Sequence, residues 1–356
     1  MTKILTLHTP VRRAVGGALL WLAAGSASAC ATCGCSLSTD AATGYPTKPG
    51  WTLSLQVDDI DQNQLRHGSK AVSTSAVAAV NDAGGDQEVE HDTVNRYATL
   101  GIGYAPNDDW GVRVLLPWVD RGHSTYASAT NPVTPDQLST AKVKGLGDVR
   151  LIATYQGLLE ERNLSLQLGI KLPTGHYGGA NADGSGLVGR HPAAFKGGQL
   201  STNDSPDNLL DTSLQAGTGT TDLILGAYYH QAVATNIDAF VNGQTQAAFA
   251  HRLHGAGQDF RVGNTTFVSI GARYEANPGV VPQLQVNISH KGADQGALAD
   301  NPDSAGTIVY LSPGLTGVLS DHVQGFAFVQ LPVASHLVGY QLAPRWTGSA
   351  GLSYSF

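Results

Sequence analysis

Residues 346–356 read WTGSAGLSYSF, and their character alternates from one residue to the next. Counting back from the terminal Phe356, every second position is apolar or small, and the positions between them are Ser, Thr or Gly. A period of two predicts a β-strand with one apolar face and one polar face. A transmembrane β-barrel requires strands of this kind, with the apolar face towards lipid and the polar face towards water.

The same alternation recurs along most of the chain, between short stretches rich in Gly, Pro, Asn and Asp. Alternating runs bounded by turn residues predict strands. The predicted spans are 51–64, 91–105, 110–124, 143–157, 162–175, 217–231, 236–251, 261–275, 281–293, 304–318, 322–337 and 342–356. The sequence therefore predicts an all-β fold, an antiparallel transmembrane β-barrel of about twelve strands.

The connections between these strands alternate in length. Short turns follow every second strand, at 106–109, 158–161, 232–236, 276–279 and 319–321, and the largest of the longer connections runs from 176 to 216. Bacterial outer-membrane barrels have short periplasmic turns, long extracellular loops and an even strand number that leaves both termini in the periplasm. A soluble β-sandwich or propeller has no reason to separate its loops by length. The pattern favours a barrel in the outer membrane of a Gram-negative bacterium.

The N-terminus has the features of an export signal. An apolar run at 14–24 is shorter than the roughly 20 residues that a transmembrane helix needs. It follows Arg12 and Arg13 and precedes Ala-Ser-Ala at 27–29, which is typical of a secretory signal peptide. Residues 1–29 are therefore predicted to be a cleaved signal peptide.

Cleavage at that point divides the mature chain into a periplasmic segment at 30–50, which holds the cysteines, and a barrel at 51–356. Removing Lys3, Arg12 and Arg13 takes away three positive charges and changes the formal charge from −7 to −10. Only 14% of the residues are charged, against about 25% in ordinary soluble proteins. Binding to nucleic acid requires a basic surface, so nucleic acid is excluded as a partner.

Charged residues fall on the polar phase of the predicted strands, where they would line the lumen. An Arg or Lys that faced lipid at mid-depth would cost about 2–4 kcal/mol, so this confinement supports the predicted register. One interpretation is a constriction that selects solutes by charge; the other is a structural network of paired charges that fills a narrow barrel. The candidate lumen residues are Arg113, Asp148, Arg150, Lys171, Asp222 and Arg273.

The three cysteines of the chain lie together at Cys30, Cys33 and Cys35, just after the predicted cleavage site. Closely spaced thiolates can bind a soft metal such as Cu or Zn. The periplasm oxidises thiols, which favours a disulfide or another structural role. A third possibility is a lipid anchor on Cys30, which would be the first mature residue. The sequence leaves all three open.

His251 and His254 are the best local pair among the histidines predicted to lie on the outer side, and they are candidate ligands for a divalent metal. Solvated loop histidines are the alternative interpretation. The chain contains no glycine-rich phosphate loop, no Gly-x-Ser-x-Gly elbow and no His-Glu-x-x-His motif. The sequence therefore predicts that the protein is not an enzyme.

Several stretches of the barrel resemble the family of outer-membrane proteins named for the MetA pathway of phenol degradation. They are DQNQLR from Asp61, LPWVDR from Leu116, GLGDVRLIATYQG from Gly145, KLPTG from Lys171, GTGTTDLILGAYY from Gly217 and VYLSPGL from Val309. The resemblance implies an outer-membrane channel or porin-like transporter for small solutes, with apolar or aromatic compounds as the expected class. It supplies no catalytic residue.

The last strand, which ends on Phe356, also resembles the C-terminal strand that outer-membrane proteins present to the barrel assembly machinery. Phe356 is therefore the candidate assembly signal. The expected partners are outer-membrane lipids, the assembly machinery and small-molecule solutes. The alternative hypothesis is a metal-binding or redox-linked outer-membrane protein that acts on a periplasmic partner through Cys30, Cys33 and Cys35.

Overall fold

A computed structural model describes residues 49–177, 212–255 and 259–356. The predicted signal peptide and the cysteines lie outside the described residues. The strands are β1 Gly50–Gly68, β2 Lys70–Ala71, β3 Glu90–Ala105, β4 Trp110–Thr125, β5 Ser139–Leu146, β6 Val149–Tyr155, β7 Leu164–Leu172, β8 Thr220–Ala234, β9 Ile237–His251, β10 Thr265–Tyr274, β11 Val281–Lys291, β12 Gly306–Ser320 and β13 Val323–Ser355. Helix α1 spans Thr74–Asp82, and short 3-10 helices cover Pro135–Gln137 and Thr212–Leu214.

Eleven of these strands form a closed antiparallel ring. Their order around the wall is β13, β12, β11, β10, β9, β8, β7, β6, β4, β3 and β1, and β1 pairs in turn with β13. The strands β2 and β5 lie outside this ring, paired with β1 and β4. The predicted all-β antiparallel barrel is confirmed.

The strand count differs from the predicted twelve because the last two predicted strands form one element. The first part of β13 pairs with β12 and the second part pairs with β1. The Ser355 N–H donates a 2.9 Å hydrogen bond to the carbonyl of His322, so the two parts run side by side. Between them, Gly339 has a φ of 70°, a value that glycine adopts readily. The two arms of β13 thus occupy two adjacent places in the wall. They count as one strand because the turn between them is not a break in the β structure.

The predicted strand 143–157 is divided into β5 and β6. Both parts pair with the uninterrupted strand β4. The interruption falls at Asp148, whose carboxylate accepts hydrogen bonds from the backbone N–H groups of Gly175 and Thr218, each at 3.0 Å. Both donors are distant in sequence, so tertiary contacts stabilise the break, which also follows Gly145 and Gly147.

The outer face of the barrel carries a belt of exposed apolar side chains. On β1 these are Trp51, Leu53, Leu55 and Val57, of which Leu55 is 52% exposed. Aromatic residues lie at the edge of this belt near the chain ends, where the rings of Trp51 and Tyr104 are 4.8 Å apart. Aromatic rings at this depth are typical of the membrane interface. The belt is therefore the surface that contacts lipid.

At the opposite edge of the belt, the outward-facing side chains change from apolar to charged between one row and the next. Val57 pairs with Ala98 in the last apolar row, and the next outward row begins with Asp59 and Arg96. Arg96 Nε lies 2.9 Å from Asp59 Oδ2. Ion pairs of this kind need water or lipid headgroups, so the hydrocarbon region ends at this row.

Replacing Leu55 with Arg is expected to lower the free energy of unfolding by about 2–4 kcal/mol, because a cation would face the middle of the bilayer. Asn63→Arg is the matched control, since Asn63 is on the same face of β1 beyond the charged row and is exposed. The measurement is urea unfolding of the refolded protein in lipid vesicles. Equal losses for both variants would contradict the assignment of the belt.

A cap covers the end of the barrel opposite to the chain ends. Helix α1 begins at the N-cap residue Ser73, whose hydroxyl accepts a 3.2 Å hydrogen bond from the Ala76 N–H. Its buried residue Val77 packs with Leu65 of β1 and Leu342 of β13. The sequence predicted only a loop between the first two strands, so this helix is an addition to the predicted fold.

No helix within the described ranges is long and apolar enough to cross a membrane.

Candidate functional site: the barrel lumen

The inner face of the barrel is polar and largely buried. Side chains on this face form hydrogen bonds with one another. The amide of Asn287, for example, donates to Ser312 Oγ at 2.8 Å and to Gln330 Oε1 at 2.9 Å. These contacts join three adjacent positions of the wall, on β11, β12 and β13. Other buried polar residues on the inner face are Gln56, Asn95, Gln167, Asn242, Ser269, Gln283, Gln285 and Ser349.

Three of the predicted lumen residues form one buried ion-pair group. Lys171 Nζ lies 2.9 Å from Asp148 Oδ2 and 3.1 Å from Asp222 Oδ2. Its ammonium also donates to the hydroxyls of Thr218 and Thr220. All three charged side chains are at most 8% exposed. This group, called here the Lys171 network, ties the ends of β6, β7 and β8 together. Whether it is structural or selects solutes by charge stays a prediction.

The chain segments beside the Lys171 network approach each other closely because they meet at glycines. A Cβ atom on Gly175 would lie 2.8 Å from Gly217 Cα and 2.9 Å from the carbonyl carbon of Gly147. Real Cβ atoms do not approach heavy atoms so closely. Only glycine fits at this crossing, and the crossing brings Thr218 within reach of Asp148.

The other predicted lumen residues are placed differently. Arg150 lies directly opposite Lys171 in the register, so the two share the inner face, yet Arg150 is exposed. Arg113 lies on the inner phase of β4. Arg273 forms a separate group, in which its guanidinium contacts Asp238 and Glu275, each at 2.7 Å. Among the basic candidates, Lys171 is thus deeply paired, and the exposed Arg150 lies beside it.

Arg121 is a lumen residue that the sequence analysis missed. It is 4% exposed, and its guanidinium donates to the backbone carbonyls of Leu214 at 2.5 Å and Gln215 at 3.2 Å. It also donates to the Tyr97 hydroxyl at 2.7 Å. Arg121 therefore holds residues 212–215 against the inner face of β4.

Residues 212–215, called here the crossing segment, reach across the cap end of the lumen. On one side Leu214 packs against Ala141 of β5. On the other side the Thr212 hydroxyl donates a 3.2 Å hydrogen bond to the carbonyl of Leu298, in the connection between β11 and β12. Since β5 and β11 lie on different sides of the ring, the crossing segment narrows the passage between them.

Aromatic side chains also occupy the lumen, and the sequence analysis did not identify them as a group. Phe326 and Phe328 of β13 are buried and pack with Phe267 of β10. Tyr228 and Phe240 form a second pair, with ring centroids 5.9 Å apart. Two strands separate β10 from β13, so the first cluster reaches over the inner surface of the wall. The lumen is therefore lined by apolar rings as well as by polar groups.

A cavity of about 580 Å³ lies in the wall beside β1. Its lining includes Val57, Ala98 and Ala350 from one face of the sheet, and Asp58 and Ser349 from the other. The Ser349 hydroxyl donates a 2.6 Å hydrogen bond to Asp58. The lining also includes the larger side chains of Tyr97, Trp118 and Phe328.

The remaining predicted site residues within the described ranges form no such group. His251 and His254 are exposed, with ring centroids 6.4 Å apart, and metal binding by them stays a prediction. Phe356 is 66% exposed, and its N–H donates to the carbonyl of Trp51 at 3.0 Å, beside the closure of the ring. Its role as an assembly signal stays a prediction, as do the alternatives for the cysteines.

No protein-family model matches the chain, and no curated protein matches its sequence. Among solved structures, the chain resembles the COG4313 outer membrane channel from Pseudomonas putida F1, at 13% sequence identity and a TM-score of 0.58. That likeness covers 87% of this chain and 96% of the channel. The chain has the fold of an outer-membrane channel.

Two further structures have lower scores. A Pseudomonas aeruginosa FadL homologue has 9% identity and a TM-score of 0.40, over 89% of this chain and 96% of that one. The translocator domain of the autotransporter NalP from Neisseria meningitidis has 11% identity and a TM-score of 0.45, over 87% and 89%. Both scores are too low to add to the structural argument. By its fold and its lipid-facing belt, the chain is a Gram-negative outer-membrane barrel.

Proposed function

We propose that this protein is an outer-membrane channel for small apolar or aromatic solutes, and that it is not an enzyme. The observation that carries the proposal is the presence of aromatic rings on the inner face of the wall, beside its polar side chains. Phe267, Phe326 and Phe328 form the larger of these aromatic clusters. A solute with an aromatic ring gains contact with them as it leaves water.

The orientation in the membrane follows from the connections. The short turns, the start of β1 at Gly50 and the terminal Phe356 share one end of the barrel, and the long connections and the cap lie at the other. We place the chain ends in the periplasm and the cap outside the cell, as in other bacterial barrels. Counting each arm of β13 as one crossing gives an even number, about twelve, which agrees with this placement.

The likeness to the Pseudomonas putida F1 outer membrane channel supports a channel, and the MetA-pathway resemblance implies the class of solute. The exposed inner-face residue Arg150 and the partly buried Arg113 are the positions at which charge selection would act. In the Lys171 network one ammonium is paired with two carboxylates and all three side chains are buried, so we assign it to the architecture of the wall.

The double variant Phe326→Ala/Phe328→Ala is expected to lower the preference for aromatic solutes. Each aromatic contact contributes about 0.5–1.5 kcal/mol, so the uptake ratio of phenol to a small polar solute should fall by about two- to tenfold. Uptake is measured in liposomes that contain the refolded protein. Phe249→Ala is the matched control, because Phe249 is 64% exposed.

Comparing the parent with the double variant distinguishes failure of the channel function from failure of the proposed solute class. If the parent takes up neither solute, the channel function is wrong. If both proteins take up the two solutes in the same ratio, the rings only pack the wall and the solute class is wrong.

A further inference from the structure

Two carboxylates and an imidazole meet at the cap end of the lumen. The side chains of Glu88, Glu90 and His123 are all buried, and their nearest ligand atoms lie within 4.8 Å of one another. His123 Nε2 is 3.1 Å from Glu88 Oε1. This carboxylate–imidazole cluster shares no residue with the Lys171 network or the aromatic clusters. It lies next to the crossing segment, because His123 is opposite Ala141 in the register and Leu214 packs against Ala141.

The backbone holds the two glutamates on the same side. Val89 lies between them, is fully buried and packs in the cap core with Val77. The Val89 N–H donates to the carbonyl of Ala127 at 2.8 Å. A shift in the β3–β4 register between Glu90 and Asp92 turns Glu90 inwards. The cluster is thus built from β3, from β4 and from the buried segment that precedes β3.

The imidazole is fixed in the orientation that a metal ligand needs. His123 Nδ1 is 2.7 Å from the Thr93 hydroxyl, which leaves Nε2 directed at Glu88. Metal-binding histidines commonly use their second ring nitrogen for such a hydrogen bond. Thr93 is 2% exposed, so water does not compete for this contact.

The local charge favours a cation. The carboxylates of Glu88, Asp300 and Asp303 all direct negative charge at Glu90. Grouping buried carboxylates in this way is costly unless they take up protons or a positive charge is bound among them, and a metal ion would supply that charge. The Leu342 N–H donates to Glu90 Oε2 at 3.0 Å, which stabilises one oxygen of this carboxylate.

We propose that Glu88, Glu90 and His123 form a binding site for a divalent transition metal ion of the zinc type. Imidazole nitrogen and carboxylate oxygen are ordinary zinc ligands, with bonds of about 2.0–2.2 Å. Such bonds separate two ligand atoms of a tetrahedral site by about 3.3 Å, close to the 3.1 Å between His123 and Glu88. The ion clips the segment before β3 to β4, and thereby fixes the cap over the mouth of the barrel.

The test measures zinc binding and does not depend on transport. The parent is the full chain with Cys30, Cys33 and Cys35 replaced by Ser, refolded in detergent and stripped with a chelator, so that thiols contribute no zinc. Isothermal titration with Zn²⁺ and elemental analysis then give the affinity and the stoichiometry. The parent is expected to bind one zinc ion tightly per chain.

The variant His123→Gln is expected to bind one zinc ion fewer than the parent, while His91→Ala keeps the parent stoichiometry because His91 is exposed. Thr93→Val retains all three ligands and is expected to bind zinc about 10–100-fold more weakly. If His123→Gln fails to fold, the zinc affinity of Thr93→Val still tests the proposed site. A parent without a tight zinc site, or equal zinc affinity in the parent and Thr93→Val, would overturn the proposal.

Discussion

Replacing Lys171 with Met is expected to lower the free energy of unfolding by about 3–5 kcal/mol, since it leaves two buried carboxylates without their cation. The Lys171 ammonium lies within 3.1 Å of both Asp148 and Asp222. The side chains of the three residues are at most 7% exposed, so water cannot replace it. Urea unfolding in lipid vesicles, followed by tryptophan fluorescence, measures the loss.

Arg150→Met is the matched control for this variant. Arg150 is opposite Lys171 in the register and has the same charge, but it is exposed. Its replacement is expected to cost less than about 1 kcal/mol. Adding Asp148→Asn and Asp222→Asn to Lys171→Met should recover part of the loss, because no buried charge then lacks a partner. Equal losses for Lys171→Met and Arg150→Met would show that the network does not hold the wall together.

Replacing Arg121 with Met is expected to release the crossing segment and to raise the single-channel conductance severalfold. Arg121 donates to the carbonyls of Leu214 and Gln215, which are part of that segment. Hydrogen bonds to a charged group contribute about 1.5–3 kcal/mol each, so their loss frees residues 212–215 to leave the inner face. Recordings in planar bilayers measure the conductance of the refolded variant.

Arg345→Met serves as the control for Arg121→Met, because Arg345 is exposed and lies on the second arm of β13. It removes the same charge without touching the crossing segment. A conductance in Arg121→Met that equals the parent value would mean that the crossing segment does not restrict the passage.

The strands could be predicted from sequence because each one meets lipid on one face and the lumen on the other. The predicted span 162–175 becomes β7 Leu164–Leu172, and the predicted span 236–251 becomes β9 Ile237–His251. The chemical contrast between the two faces fixes the period, and a shift of one residue would turn every side chain to the wrong face.

The lumen was less predictable because its key contacts are not periodic. Phe326 and Phe328 alternate with Gly, Ala and Val, so both faces of that arm are apolar and the phase gives no signal. Arg121 shares its phase with Arg113, but its partners follow a long connection. Glu90 turns inwards through a register shift, and alternation cannot show where such a shift will occur.

The pairing between the two ends of the barrel has a consequence for the order of folding. Thr52 on β1 is opposite Ser355 on β13, so the ring is closed by residues from the beginning and the end of the barrel. Before residues 342–355 arrive, β1 and the first arm of β13 both present unpaired edges, which are prone to join other chains. Closure also has to wait for the most distant contact in the sequence, and such contacts form slowly. Until the ring closes, no strand of the barrel covers these two edges, so their protection must come from another molecule.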